Sequence, residues 1–132
     1  MTHPKPTESE LAILSVLWER GHATVREVYD ILYRSDGGGY TTALKLLQLM
    51  HGKGLVVRDE TQRAHTYRAA ISKDSTQSRI LGDLVQKLFD GSAGALVMRA
   101  LGAGKGPDAQ ELQAIRTLLN ELEKRGDSDR DR

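Results

Sequence analysis

Y-T-T-A-L-K-L-L-Q-L-M-H-G-K-G, Tyr40–Gly54, follows three consecutive glycines, Gly37 to Gly39, and reads as one short helix that stops at Gly54. Ala43, Leu46, Leu47 and Met50 recur at i, i+3, i+4 and i+7, the spacing of a single buried helical face. Thr41 and Thr42 are the candidate N-caps, because a hydroxyl there accepts from an orphan amide of the first turn. Gly54 suits the position just past a helix, where a positive φ is cheap only without a Cβ. The other face carries Thr42, Lys45, Gln48 and Lys53. A helix apolar on one side and rich in donors on the other is what the major groove of DNA admits. Any solvated helix has the same look, so the neighbouring segments decide.

Upstream, Thr7 and Glu10 form a T-x-x-E capping box at the head of a helix in which Leu11, Ile13, Leu14, Leu17 and Trp18 make two adjacent apolar rows ending at Gly21. Trp18 in such a row reads as core rather than as a stacking platform. His22-Ala23 is a candidate edge strand. Thr24 and Glu27 form a second capping box, opening a helix to about Tyr33 with Val25, Val28, Ile31 and Leu32 on its buried face. R-S-D-G-G-G is a loop by composition and leads into the key helix. Downstream the period changes from 3.6 to 2. Leu55–Arg58 and His65–Arg68 read as strands, joined by the polar loop D-E-T-Q-R-A. Three helices followed by a hairpin is the winged-helix order. Arg58, Arg63, His65 and Arg68 then lie on the wing or at its base, where a phosphate backbone passes.

The formal net charge is +1, but it is unevenly spread. Residues 7–39 hold three Lys/Arg against six Asp/Glu, residues 40–72 five against two, and residues 73–132 ten against ten. The excess of positive charge therefore sits on the key helix and the hairpin, as a DNA-facing surface requires. There is no cysteine, hence neither a disulfide framework nor a thiolate metal site. No run of about 18 apolar residues is present, so no membrane span is expected. The opening M-T-H-P-K-P-T lacks the apolar stretch of a secretory signal, and a cytoplasmic location is the default expectation. His3, His22, His51 and His65 are scattered singly, and glycines 37–39 lack the lysine and hydroxyl of a phosphate loop. Enzymatic chemistry, metals and cofactors are therefore not expected.

The rest of the chain is helical. Ile80, Leu81, Leu84, Val85, Leu88 and Phe89 repeat as pairs four apart, after a start at Ser72 or Ser75. Ser92 caps a short helix containing Leu96, Val97, Met98 and Leu101. The G-A-G-K-G-P linker is followed by a third capping box, Asp108 and Glu111, and by the stripe Leu112, Ile115, Leu118, Leu119 and Leu122. Three short helices, each apolar on one face, do not make a self-sufficient core from about fifty residues. A second copy of the chain is the expected cover. The organisation read from the sequence is mainly α with a small β-hairpin wing. A winged helix occupies 1–71 (1–6 a flexible arm), a three-helix dimerisation region 72–125 and a disordered tail 126–132.

E-S-E-L-A-I-L-S-V-L-W, T-V-R-E-V-Y-D-I-L, Y-T-T-A-L-K-L-L-Q-L-M-H-G-K-G-L-V, Y-R-A-A-I-S-K and L-F-D-G-S-A-G-A-L-V occur in that order. Together they resemble the penicillinase and methicillin-resistance repressor family, which also includes copper-responsive repressors, over about residues 7–123. The resemblance implies a homodimeric repressor of inverted-repeat operators with TACA/TGTA-like half-sites. Thr41, Thr42, Lys45 and Gln48 would enter the major groove, and Arg63 and His65 would lie along the backbone; by charge and position, Lys53 and Arg58 join the sequence-independent contacts. The dimer face would be Leu81, Leu84, Leu88, Phe89, Leu96, Val97, Leu112, Ile115, Leu118, Leu119 and Leu122. In β-lactam-responsive relatives a membrane sensor system leads to cleavage of an Asn-Phe bond in the dimerisation region; the matching bond here is Arg99–Ala100. Relatives carry a basic residue where this chain has Leu49, and a lysine where it has Gly52. The cysteine cluster of copper-responsive relatives is absent. Two other readings remain, a winged helix used for protein contact and a DNA-binding regulator gated by a small ligand.

Overall fold

A computed structural model describes residues 4–130, which form six helices and three short strands. Helix α1 (Glu8–Arg20) opens with the expected capping box: Thr7 Oγ1 accepts from the Glu10 amide at 3.2 Å, and Glu10 Oε1 accepts from the Thr7 amide at 2.9 Å. It closes at Gly21, whose φ of 87° puts its amide on the Leu17 carbonyl. Strand β1 (Ala23–Thr24) leads directly into α2 (Val25–Leu32), capped by the same device at Thr24 and Glu27. Of the face expected to be buried there, Val25 and Val28 are buried and Leu32 is half-buried, whereas Ile31 is exposed. An eight-residue helix turns too little surface inward to cover all four.

Helix α3 (Tyr40–Lys53) begins at Gly39, not at a threonine. Gly39 takes the extended cap conformation without a side-chain bond, and the Thr42 amide already donates to its carbonyl at 3.1 Å. Thr41 and Thr42 therefore fall inside the first turn, and their side chains are exposed rather than spent on capping. At the far end Gly54 adopts a φ of 80°, and the Leu55 amide returns to the Met50 carbonyl at 2.9 Å, the paired bonds that terminate helices at glycine. A Cβ built on Gly52 would meet nothing within 4 Å, and its φ is ordinary. Gly52→Ala should therefore raise stability by about 0.5–1 kcal/mol through lost unfolded-state freedom, read as a higher denaturation midpoint.

The wing strands are β2 (Val56–Asp59) and β3 (Thr66–Ala69), each one residue later than the sequence indicates, because Leu55 is consumed by the end of α3. They pair antiparallel with Arg58 opposite Tyr67, and β1 adds to the other edge of β3, giving the order β1-β3-β2. One core joins these elements. Ile13, Leu14 and Leu17 of α1 meet Val28, then Ala43, Leu47 and Met50 of α3, then Leu55, Val56 and Tyr67, all essentially without solvent exposure. Trp18 is half-buried beside this core, and its Nε1 donates to the Ile71 carbonyl at 3.0 Å, as a core tryptophan must.

By internal packing the chain divides into Met1–Asp83 and Leu84–Arg132. The division falls inside α4 (Lys73–Leu88), later than the turn at residues 70–72 that marks it in the sequence. Thr76 is buried, and Asp83 is ion-paired to Lys5 at 3.0 Å, which keeps the first part of α4 with the first unit. The same contact, with buried Pro6, fixes residues 4–6, where the sequence suggested a flexible arm; the start of that arm, residues 1–3, lies outside the described residues. The second unit holds the end of α4, α5 (Ala93–Leu101) and α6 (Ala109–Arg130). Ser92 caps α5, and Asp108 with Glu111 caps α6. Helix α6 runs on through Arg130, into the stretch where composition argued for a disordered tail; residues 131–132 lie outside the description. Extending a formed helix fixes one residue per added bond, which carries α6 past Gly126 although Gly, Asp and Ser are weak helix formers. Among the described residues no helix is long and apolar enough to cross a membrane.

Candidate nucleic-acid interface

Burying Ala43, Leu47 and Met50 fixes the rotation of α3 about its own axis and turns Thr41, Thr42, Lys45 and Gln48 outward, all four exposed on one side. Leu49 stands with them, an apolar side chain that is 58% exposed. Beside this face lies a groove of about 370 Å³ between α3, the start of α2 and the wing. Gln48 borders it from the helix, Arg63 and His65 from the wing loop, Arg58 from β2, and Arg26 and Tyr40 from α2 and the first residue of α3. Among the described residues no carboxylate lines it. A concave, low-dielectric surface lined by one sign of charge concentrates the field it presents to a polyanion.

Not every cation expected at the interface is available to it. Lys53 Nζ donates to Glu10 Oε2 at 2.8 Å, and Glu10 itself is only 1% exposed. Arg58 is half-buried, and its Nη2 is 2.6 Å from Glu60 Oε1. Both charges are thus largely neutralised within the fold. Thr41, Thr42, Lys45, Gln48, Arg63 and His65 remain as exposed side chains. Arg26 and Tyr40 are groove residues that the sequence reading missed. Arg26 lies 5.8 Å over the Tyr29 ring, and Tyr29 meets Tyr40 edge-on at 6.0 Å. The available signal was positional, since Arg26 stands in the first turn of a helix that enters directly from an edge strand of the wing sheet.

The wing turn is held by Asp59, whose Oδ1 accepts from the Thr61 amide at 2.9 Å and hydroxyl at 2.7 Å. These bonds hold its carboxyl below the usual range. At Glu10, burial pushes the pKa up, but the hydrogen bonds from Lys53 and the Thr7 amide and the ammonium charge outweigh it, and the net displacement is downward from 4.5. A depressed folded-state value means that the stabilisation is complete above the unfolded pKa and is lost as pH falls through the folded one. The melting temperature should therefore drop as pH falls below about 4.5, and Glu10→Gln should flatten part of that acid limb. Glu27 leaves a residual slope, because the Thr24 amide and Arg20 also lower its pKa.

In the second unit, Leu84, Leu88, Val97, Leu112, Leu118, Leu119 and Leu122 are exposed, and Phe89, Leu96 and Ile115 are only half-buried; Leu81, just before the division of α4, is exposed as well. Helix α5 has no buried residue at all. Arg99 and Ala100 are exposed but lie in regular helix, so cleavage between them would require α5 to unwind locally.

The family model of the penicillinase repressors matches residues 6–121 of this chain. The chain belongs to the penicillinase repressor family. Two relatives of this chain, both "Transcriptional regulator BlaI", come from Mycobacterium tuberculosis strains CDC 1551 / Oshkosh and ATCC 25618 / H37Rv. Each is 32% identical over 117 residues, covering 86% of this chain and 82% of the relative. Among solved structures the repressor matches "Solution structure of the DNA binding domain of the repressor BlaI", with a TM-score of 0.49 and 21% identity over 55% of this chain and 88% of that one. A transcriptional regulator with a winged helix-turn-helix is what the family and the observed fold jointly describe.

Proposed function

We propose that this protein is a homodimeric transcriptional repressor that acts by occupying an inverted-repeat operator. Helix α3 enters the major groove, and the wing runs along the backbone. The observation that carries this reading is the single outward face of α3, with Thr41, Thr42, Lys45 and Gln48 beside a groove bordered by Arg63 and His65, with no carboxylate among the described residues that line it. Lys45 and Gln48 are the base readers, since lysine matches the acceptors of guanine and glutamine the paired donor and acceptor of adenine. Leu49 suits a thymine methyl. Thr41, Thr42, Arg63 and His65 hold phosphates and set the register. The uncovered leucines of α4–α6 supply the dimer contact, which matches a two-fold DNA site.

Gel-shift titration against the DNA upstream of its own gene, at low and moderate salt, tests the reading. A dimer-sized complex that survives competitor DNA supports it, and binding that competitor erases at both salts defeats it. A protein-contact role draws on one observation, the neutralisation of Lys53 and Arg58, and salt separates the two. Phosphate binding weakens by orders of magnitude as salt rises, whereas an apolar contact does not. Lys45→Ala should lower operator affinity by about 1–3 kcal/mol and relax preference at one base pair. An equal loss on operator and random DNA would reduce Lys45 to a phosphate contact.

A further inference from the structure

Glu10 and Lys53 lie 43 residues apart in sequence and meet in the first unit. A carboxylate as buried as that of Glu10 is tolerated only when its oxygens are satisfied. Both are: Oε1 takes the Thr7 amide and Oε2 the Lys53 ammonium. Lysine on a surface normally keeps its head in water at the end of a flexible stem. Here the head is fixed, although the side chain is the last of α3. Immediately after it come the left-handed Gly54, the return of the Leu55 amide to Met50 and the start of β2 at Val56. The other end of α3 is held less firmly, following three glycines and lacking any side-chain cap.

We infer that Lys53 is a positioning residue rather than a phosphate contact: its pair with Glu10 pins the C-terminal end of α3 to the first turn of α1 and fixes the angle at which Thr41 to Gln48 are presented to DNA. This rests on the operator-binding reading above. The lowered pKa of Glu10 agrees with it, since the carboxylate stays charged and the tie stays closed at neutral pH. Glu10 is too buried to touch DNA itself, so its substitution can change binding only indirectly, through the elements it holds.

The test uses the full chain with Glu10→Gln, Lys53→Gln, the double variant and Lys53→Arg, each shown by its melting curve to be folded at the assay temperature. Glutamine at position 10 keeps an oxygen for the capping box, so this variant is mild. Affinity for operator and for random DNA is measured across a salt series. Each glutamine variant should lose operator affinity by about tenfold, and the double variant should lose no more than either single one. The slope of log affinity against log salt should stay at the wild-type value, and Lys53→Arg should bind nearly as wild type does. A slope reduced by about 0.9 in Lys53→Gln is the mark of one lost phosphate contact. Found together with unchanged or tighter binding by Glu10→Gln, it would overturn the inference and make Glu10 a restraint on a DNA-contacting lysine. Lower melting temperatures with operator affinity intact would also overturn it, leaving the pair a stability feature only. If the wild type does not prefer operator to random DNA, the operator reading fails by itself. Deuterium exchange on the DNA-free protein then judges the tie: faster exchange over residues 45–54 in both single variants supports it, and unchanged exchange refutes it.

Discussion

A chain carrying Leu118→Glu and Leu122→Glu should sediment as a monomer and lose operator affinity by about 10²- to 10⁴-fold, the range by which linked half-site contacts exceed single ones. The two leucines sit four apart on α6, one turn over the other, and are 54% and 48% exposed in the single chain. Glutamate at either position meets water in a monomer and is tolerated there. Across a two-fold interface the same substitutions place unpaired carboxylates in an apolar contact. Melting of the first unit should not change, because its core uses none of these residues. A DNA duplex with one half-site is the control, and wild type and variant should bind it equally. A variant that stays dimeric would move the interface off α6. A monomeric variant with full operator affinity would remove dimerisation from the mechanism.

Much of this architecture is legible in the sequence because its signals are local. Capping boxes at Thr7, Thr24 and Asp108 depend on two side chains three residues apart, and all three form as spaced. Gly54 ends α3 because only a residue without Cβ takes its φ cheaply. What the sequence leaves hidden is long-range. Nothing near Lys53 announces Glu10, which lies in another helix, so the sequence gives no sign of the ion pair that a lysine on the polar side of α3 makes. Arg58 is the same case, its charge met by Glu60 across the start of the wing turn. Arg26 and Tyr40 fail in the opposite direction, being ordinary in their own helices and becoming groove residues only when the wing folds beside them. The threonine cap failed on a finer point. Glycine can be an N-cap by backbone geometry alone, and that leaves both hydroxyls for another use.

Leu47 and Leu49, two positions apart in α3, should respond oppositely to alanine. Leu47 has no solvent exposure and lies in the core shared by α1, α3 and the sheet. Leu47→Ala should lower unfolding free energy by about 2–5 kcal/mol, the combined loss of apolar burial and of packing around the cavity left behind. That is a large share of the roughly 5–15 kcal/mol that holds a typical domain together, so the variant should unfold at markedly lower denaturant. Leu49→Ala, at a position 58% exposed, should fall within about 0.5 kcal/mol of wild type. In DNA binding the order reverses. Wherever Leu47→Ala is still folded, its outward face is intact and operator affinity should persist, whereas Leu49→Ala should weaken only those operators that place a thymine methyl against it. Replacing that thymine by deoxyuridine should erase the difference between Leu49→Ala and wild type. The pair therefore measures the rotation of α3 about its axis. If Leu49→Ala destabilises the fold as much as Leu47→Ala does, the helix is turned from the position described. Lys45 and Gln48 would then turn with it, and their roles as base readers would be lost.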